Sequence, residues 1–450
     1  MMNAAVAAGF SLGVVYIVHR FFEYRRIVDG LGARYPKPIE RFGFLRLFGD
    51  NIIATEGAPW KVHRKIAAPA FTEKNYRMVW NESVRIVQDL LDNEWKRTPE
   101  IKYEHVLDLT VPMSLFIIAS AGFGQHMSWA EEKSVPAGYT MSFKDSLHRV
   151  SSDLHLKLLL PPWMLGLTSH LRKVRDAFDD FDKYLLEMIA VRRAAKEEHA
   201  DLFSNLLKAT ELEADATSKL SDRELAGNIF AFLLAGHETT AHTLCFCLSY
   251  LALYPREQDR LYEEIKTVLA DPDSLPAQIY EDMARLPYAL ACIYETLRLF
   301  PPLPGIPKVS GEDQSLVVTY ADGERKPIPL PKGTQMYMST VGMHQNPRYW
   351  SEPDQFRPDR FLGDWPKDAF IPFSVGARSC IGRRFSETEA VALLTMLLAH
   401  YRVSVTEDTR FIHETFEQRK ARVLKARTGR DVFGHVNMLH WHFGLAIHTV

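Results

Sequence analysis

Phe373-Ser374-Val375-Gly376-Ala377-Arg378-Ser379-Cys380-Ile381-Gly382 sets one cysteine between two glycines, two positions after an arginine and just ahead of an apolar helical run, Ser386 to Ala399. A cysteine at such a loop-to-helix junction lies at the positive end of the helix dipole and beside a guanidinium. Both favour thiolate over thiol. Glycine removes a Cβ where backbone must approach a flat surface or turn with φ > 0. A thiolate held this way serves as a nucleophile or as a metal ligand; the bland alternative is an inert core cysteine. Cys245, Cys247 and Cys292 lie in apolar helical runs and read as core thiols, and no Cys-x-x-Cys suggests a zinc or disulfide framework.

The chain has 450 residues, is 46% hydrophobic and carries a formal net charge of −2, which supports a large buried core and gives no overall basicity for nucleic acid. Four unpatterned cysteines suit a reducing compartment. Residues 4–22 form a 19-residue apolar stretch, enough to span a thin bilayer. No Lys or Arg precedes it, whereas Arg20, Arg25 and Arg26 lie at and beyond its end, so the positive-inside rule leaves the bulk of the chain in the cytosol. A cleaved signal peptide would carry a basic leading region, which is missing.

Apolar periodicity predicts helices over Tyr76–Trp95, Phe178–Arg193, Glu224–Leu253 and Arg256–Ala270. Lys196–Leu220 reads as a surface connection with one short helix. Leu316–Tyr320 and Gln335–Met338 read as strands separated by Gly323 and the Pro327/Pro329/Pro331 run, and Asn346–Pro372 as a long ordered loop. No linker divides the soluble part.

Ala235-Gly236-His237-Glu238-Thr239-Thr240 falls in the middle of the Glu224–Leu253 run. Glycine, two threonines and a charge are locally unfavourable in a buried helix. Threonine hydroxyls can bond back to the carbonyl of i−4, and glycine lets a ligand approach closely. A zinc-protease helix is excluded: it needs a second histidine at i+4, but position 241 is Ala and His242 lies about 140° round the helix from His237. Glu295 and Arg298 share one helix face at i, i+3, and Trp60 and Arg64 lie one turn apart.

The spacing Phe373, Gly376, Arg378, Cys380, Gly382 resembles the haem-ligand loop of the cytochrome P-450 family, and the other motifs follow the family's order. The resemblance implies a mainly α fold, a single large helical domain (residues 40–428) with a small β lobe, behind an N-terminal membrane anchor helix at 4–22. It implies haem b (iron protoporphyrin IX) between the Glu224–Leu253 and Ser386–Ala399 helices, with Cys380 as the axial thiolate whose electron donation favours O–O cleavage. Thr239 would hydrogen-bond dioxygen, and Glu238 would relay protons; a buried carboxylate with a raised pKa suits that task. Trp60 and Arg64 would bind one haem propionate and Arg378 the other. Glu295 and Arg298 would pair with a later arginine, Arg360 in preference to Arg357, in a structural network locking the cysteine loop. Lys61, Lys65, Arg383 and Arg384 would attract an acidic electron donor. Phe232, Leu233 and Leu303–Ile306 would line an apolar pocket.

The implied reaction inserts one atom of O2 into an apolar small molecule, with electrons from NADPH through NADPH-cytochrome P-450 reductase. The implied location is the endoplasmic reticulum membrane, single-pass, with the catalytic domain cytosolic; the sequence style is that of membrane-bound eukaryotic, especially fungal, members. Two other readings stand beside it: a haem-thiolate isomerase or dehydratase, and a degenerate non-catalytic haem binder. Both ends depart from the family. Only 33 residues separate Arg26 from Trp60, and the tail at 429–450 lacks the expected terminal strand. Its histidines, His435, His440, His442 and His448, have no ligand spacing.

Overall fold

The computed structural model describes residues 43–129, 135–194, 201–213, 219–269, 277–320, 322–406, 413–427 and 445–449. The 4–22 stretch lies outside these, as do His435, His440 and His442. Among the described residues no helix is long and apolar enough to cross a membrane.

The longer helices are, in chain order, α1 (Gly57–Ala67), α2 (Glu73–Asp89), α3 (Leu107–Ile117), α4 (Phe143–Ser152), α5 (Ser169–Ala194), α6 (Leu202–Leu212), α7 (Asp222–Leu253), α8 (Pro255–Val268), α9 (Pro287–Leu299), α10 (Arg383–His400) and α11 (Phe416–Arg427). Helix α7 organises them. Its 32 residues run about 48 Å. It is apolar on all sides, which is the signature of a helix that other helices surround. It begins in a capping box: Ser221 Oγ accepts from the Glu224 N–H while the Glu224 carboxylate accepts from the Ser221 N–H at 2.8 Å. The Gly49–Asp50 backbone crosses its first turns at van der Waals distance: a Cβ at Gly227 would lie 2.4 Å from the Gly49 carbonyl oxygen. One continuous apolar cluster joins residues from Leu45 to Ile447.

The strands are β1 (Glu100–Tyr103), β2 (Gly305–Val309), β3 (Gln314–Thr319), β4 (Arg325–Leu330), β5 (Gln335–Ser339), β6 (Tyr401–Val405) and β7 (Leu445–Thr449). Two expectations fail here. The proline run does not separate strands; Pro327 and Pro329 lie in β4, opposite Val317 and Ser315 of β3. Because side chains and N–H groups alternate along a strand, prolines two apart can both turn their missing N–H to the open edge. The tail does not lack a strand either. Leu445–Thr449 is the central member of a three-stranded antiparallel sheet, β1-β7-β6, with Val403 opposite Ile447. His448 is not incidental, since its Nε2 lies 3.1 Å from Ser404 Oγ. What made the strand hard to read is its shortness: three buried residues, Leu445, Ala446 and Ile447, carry it. The 202–212 helix is less superficial than a surface connection, burying Leu202, Phe203, Leu206 and Leu207.

Candidate active site

The cysteine loop is built from tight turns. Gly376 opens a short 3-10 turn with φ +77°, and a Cβ there would meet nothing within 4 Å. The Cys380 N–H donates to the Phe373 carbonyl at 2.8 Å, which closes the loop on itself. Gly382 caps α10 at φ −87°, an ordinary conformation, so of the two glycines Gly376 is the one that makes a left-handed turn. Beyond Gly382 the first protein atom in the Cβ direction is Phe71 Cε1, at 4.0 Å. Phe71 in turn packs edge-on against Phe232 of α7, with ring centroids 5.8 Å apart. A second tie runs from Thr240 Oγ1 of α7 to Ser386 Oγ of α10, 3.1 Å. The cysteine loop and the middle of α7 are therefore held at fixed separation from both sides.

Ala235 and Glu238 are exposed on a helix whose neighbouring turns are buried, and Cys380 is exposed as well. Both polar groups are nevertheless surrounded by protein, and that sets their protonation. Burial lifts the Glu238 carboxyl to about 7. Burial also pushes the Cys380 thiol up, against the opposing pull of the Gly382 N–H and the Arg64 and Arg383 charges. The expectation that the helix end and Arg378 favour thiolate is thus reversed in the protein alone: desolvation outweighs them. The Arg378 guanidinium stacks over the Trp60 ring at 4.6 Å and donates to the Thr55 carbonyl at 2.6 Å.

Thr239 Oγ1 donates back to the Ala235 carbonyl at 2.8 Å, while α7 continues unbroken past it. Gly236 does not face a ligand: its Cβ direction is filled by Ile118, 3.2 Å away, so it serves helix packing. His237 is buried, bonds the Leu233 carbonyl through Nδ1 at 2.7 Å and is held at a pKa of about 4 by desolvation, hence neutral. His242 bonds the Glu238 carbonyl in the same way. No cluster that could hold a metal through three or more such side chains occurs among the described residues.

Trp60 and Arg64 bring α1 to the loop; Arg64 Nη1 donates to the Ser379 carbonyl, one residue from Cys380, at 3.1 Å. The intervening His63, which sequence reasoning missed, turns inward to Asn228 of α7, 2.8 Å from its Nδ1. No sequence signal links two polar residues 165 positions apart. Glu295, Arg298 and Arg360 come together, the first two fully buried and Arg360 at the edge. Arg298 grips Glu295 through Nε and Nη2 at 2.7 and 2.8 Å, Arg360 Nε reaches Glu295 Oε1 at 3.0 Å, and Arg357 contributes its backbone N–H at 2.9 Å. The remaining guanidinium donors are used by the carbonyls of His344, Ser351 and Glu352. Phe232 and Leu233 are core residues, Leu233 fully buried, whereas Leu303 is exposed. Of the four basic residues expected to face a donor protein, Lys65 is paired with Glu213 at 2.7 Å, and Arg383 with Glu387 at 2.8 Å.

An exposed cysteine in a glycine turn, with an indole and two guanidinium groups beside its loop and a near-neutral carboxyl on α7, suits a macrocycle that carries a metal and acidic side chains. Residues 36–428 match the cytochrome P-450 family. The chain belongs to the cytochrome P-450 family. It is 52% identical over 405 residues to cytochrome P-450 monooxygenase 124 of Postia placenta, covering 89% of this chain and 78% of the relative. It is 28% identical to cytochrome P-450 monooxygenase prx9 of Penicillium rubens (82% and 71% covered) and 30% identical to cytochrome P-450 4A11 of Homo sapiens (83% and 72%). The protein is accordingly a haem-dependent cytochrome P-450 monooxygenase, an oxidoreductase.

Proposed function

We propose that this cytochrome P-450 oxygenates an apolar organic substrate, with Cys380 as haem ligand, Glu238 and Thr239 as the proton-handling pair, and electrons drawn from NADPH through a membrane reductase. The observation that carries the reading is the Glu238 carboxyl, raised to about 7 by burial in the middle of α7 with no charged partner to hold it ionised. A thiolate-ligated haem supplies oxygen activation when bound. Coordination deprotonates a thiol outright, so the raised thiol pKa of the protein alone is no obstacle. A group with pKa near the working pH can both hold and release a proton, which is what delivery from solvent requires. Thr239 presents its hydroxyl one residue away, its own proton parked on the Ala235 carbonyl.

Trp60, Arg64 and Arg378 are proposed to hold the two propionates; the guanidinium of Arg378, already partly desolvated over Trp60, gains by pairing with a carboxylate. Phe373, Gly376 and Gly382 shape the loop beneath the ring, and Glu295, Arg298 and Arg360 hold it in place. The 4–22 stretch is proposed as a single-pass anchor in the endoplasmic reticulum membrane, with the catalytic part cytosolic. The test is oxygen consumption with NADPH and reductase alongside the reduced, carbon monoxide-treated spectrum. A thiolate-type Soret band that disappears in Cys380→Ser is expected; an unchanged band in that variant sinks the ligand assignment. Thr239→Ala should keep the band and divert reducing equivalents to peroxide.

A further inference from the structure

Arg383 is the first residue of α10, three positions after Cys380. A cation there is a poor local choice, because a helix N-terminus favours anions, and the first turn of α10 contains no acid to offset it. The side chain is half-exposed, yet two of its guanidinium nitrogens are engaged by the protein. Nε donates to Glu387 Oε1 at 2.8 Å, and Nη2 donates to the Tyr294 hydroxyl at 2.9 Å. The Tyr294 hydroxyl donates onward to the same Glu387 Oε1 at 2.6 Å. The guanidinium carbon sits 5.3 Å from the Phe373 ring centroid and 5.8 Å from that of Tyr294.

Each partner belongs to a different part of the site. Phe373 begins the cysteine loop, and its carbonyl accepts the Cys380 N–H. Tyr294 adjoins Glu295 on α9, the helix of the buried ion network. Glu387 lies one turn into α10 and is almost wholly buried. We propose that Arg383 is a positioning residue for the cysteine loop: by joining Phe373, Tyr294 and Glu387 it holds the loop against α9 and fixes a positive charge three positions from Cys380. A planar guanidinium can bond two partners while stacking on two rings; an ammonium cannot.

The inference rests on Cys380 being the haem ligand, which the wild-type spectrum decides before any variant is made: without a thiolate band in wild type, both readings fall. With that band present, Arg383→Gln in the holoenzyme should lower the ferric–ferrous reduction potential and convert part of the reduced carbon monoxide complex to a non-thiolate band. Arg383→Lys should restore the potential, since the charge returns, but not the full thiolate fraction. Should Arg383→Gln take up no haem, Tyr294→Phe carries the test: it removes one hydroxyl and should raise the non-thiolate fraction with the potential kept. A wild-type potential and band in Arg383→Gln, or a wild-type band in Tyr294→Phe where that variant stands in, overturns the proposal. A change confined to reductase affinity also overturns it, because a docking cation would give that result.

Discussion

Glu295 and Glu238 are acidic residues on neighbouring core helices, and the protein treats them in opposite ways. Glu295 accepts from two guanidinium groups and a backbone N–H, and it is fully buried together with Arg298. Glu238 has burial as the one cause acting on its acidity, and nothing pairs with it to hold it ionised. The worth of a fully partnered carboxylate is structural: it fixes α9 against the segment that leads to the cysteine loop. An unpartnered one costs stability as an anion and is retained where a proton must move. Breaking each residue in turn sharpens that contrast.

The largest effect is expected at the partnered site. Glu295→Gln leaves two guanidinium groups buried without a counter-charge, and breaking a buried pair from one side costs about 3–5 kcal/mol. Denaturant unfolding should register that loss, and haem content per chain should fall with it. A variant that keeps both wild-type stability and haem content would show that the network is ornamental. Next comes Glu238→Gln, expected to fold and bind haem normally. Loss of general acid–base assistance lowers a rate by about 10²-fold or more, so coupled product formation should drop by that order while the thiolate band stays. Wild-type coupling should change with pH around 7, where the carboxyl titrates, and the glutamine variant should lack this inflection. An identical pH profile in both proteins would remove Glu238 from proton delivery.

How far these roles were legible in the sequence follows from range. Cys380 with its glycines, the i, i+3 pair Glu295–Arg298 and the Trp60–Arg64 turn are local patterns, and each of these residues lies where its spacing puts it. What was not legible depends on tertiary placement. Arg378 reads as a charge beside the cysteine, yet its guanidinium leaves the loop for the Trp60 face. Gly236 reads as room for a ligand and is filled by Ile118. β4 hides behind its prolines because sequence cannot say which edge of a hairpin is open, and β7 because five residues carry too little pattern. The backbone crossing at Gly49–Gly227 has no local mark at all. Gly227→Ala should cost about 1–3 kcal/mol by overpacking, a loss visible in the denaturation midpoint with coupling unchanged; full stability would mean that the crossing yields.

Glu389 supplies the control that separates burial from function. It lies on α10, fully buried, and neither carboxylate oxygen has a hydrogen-bond partner; the Ser114 hydroxyl faces it without closing a bond. Desolvation pushes its pKa well above the usual carboxylate range, which favours the neutral acid. Like Glu238 it is unpartnered, but unlike Glu238 it opens on no accessible space. Glu389→Gln replaces one neutral group by another of nearly equal shape, and at neutral pH its stability should stay within about 1.5 kcal/mol of wild type, with coupling intact. The difference should emerge with pH. Above the unfolded pKa the unfolded chain releases the Glu389 proton while the folded chain keeps it, so wild-type stability falls as pH rises, by up to about 1.4 kcal/mol per pH unit for this one group. The glutamine variant lacks that slope, and the two stability curves should diverge steadily from pH 5 to 8. Parallel curves would mean that Glu389 is ionised and partnered in solution, and that burial without a partner is not what distinguishes the proton-handling carboxyl of α7.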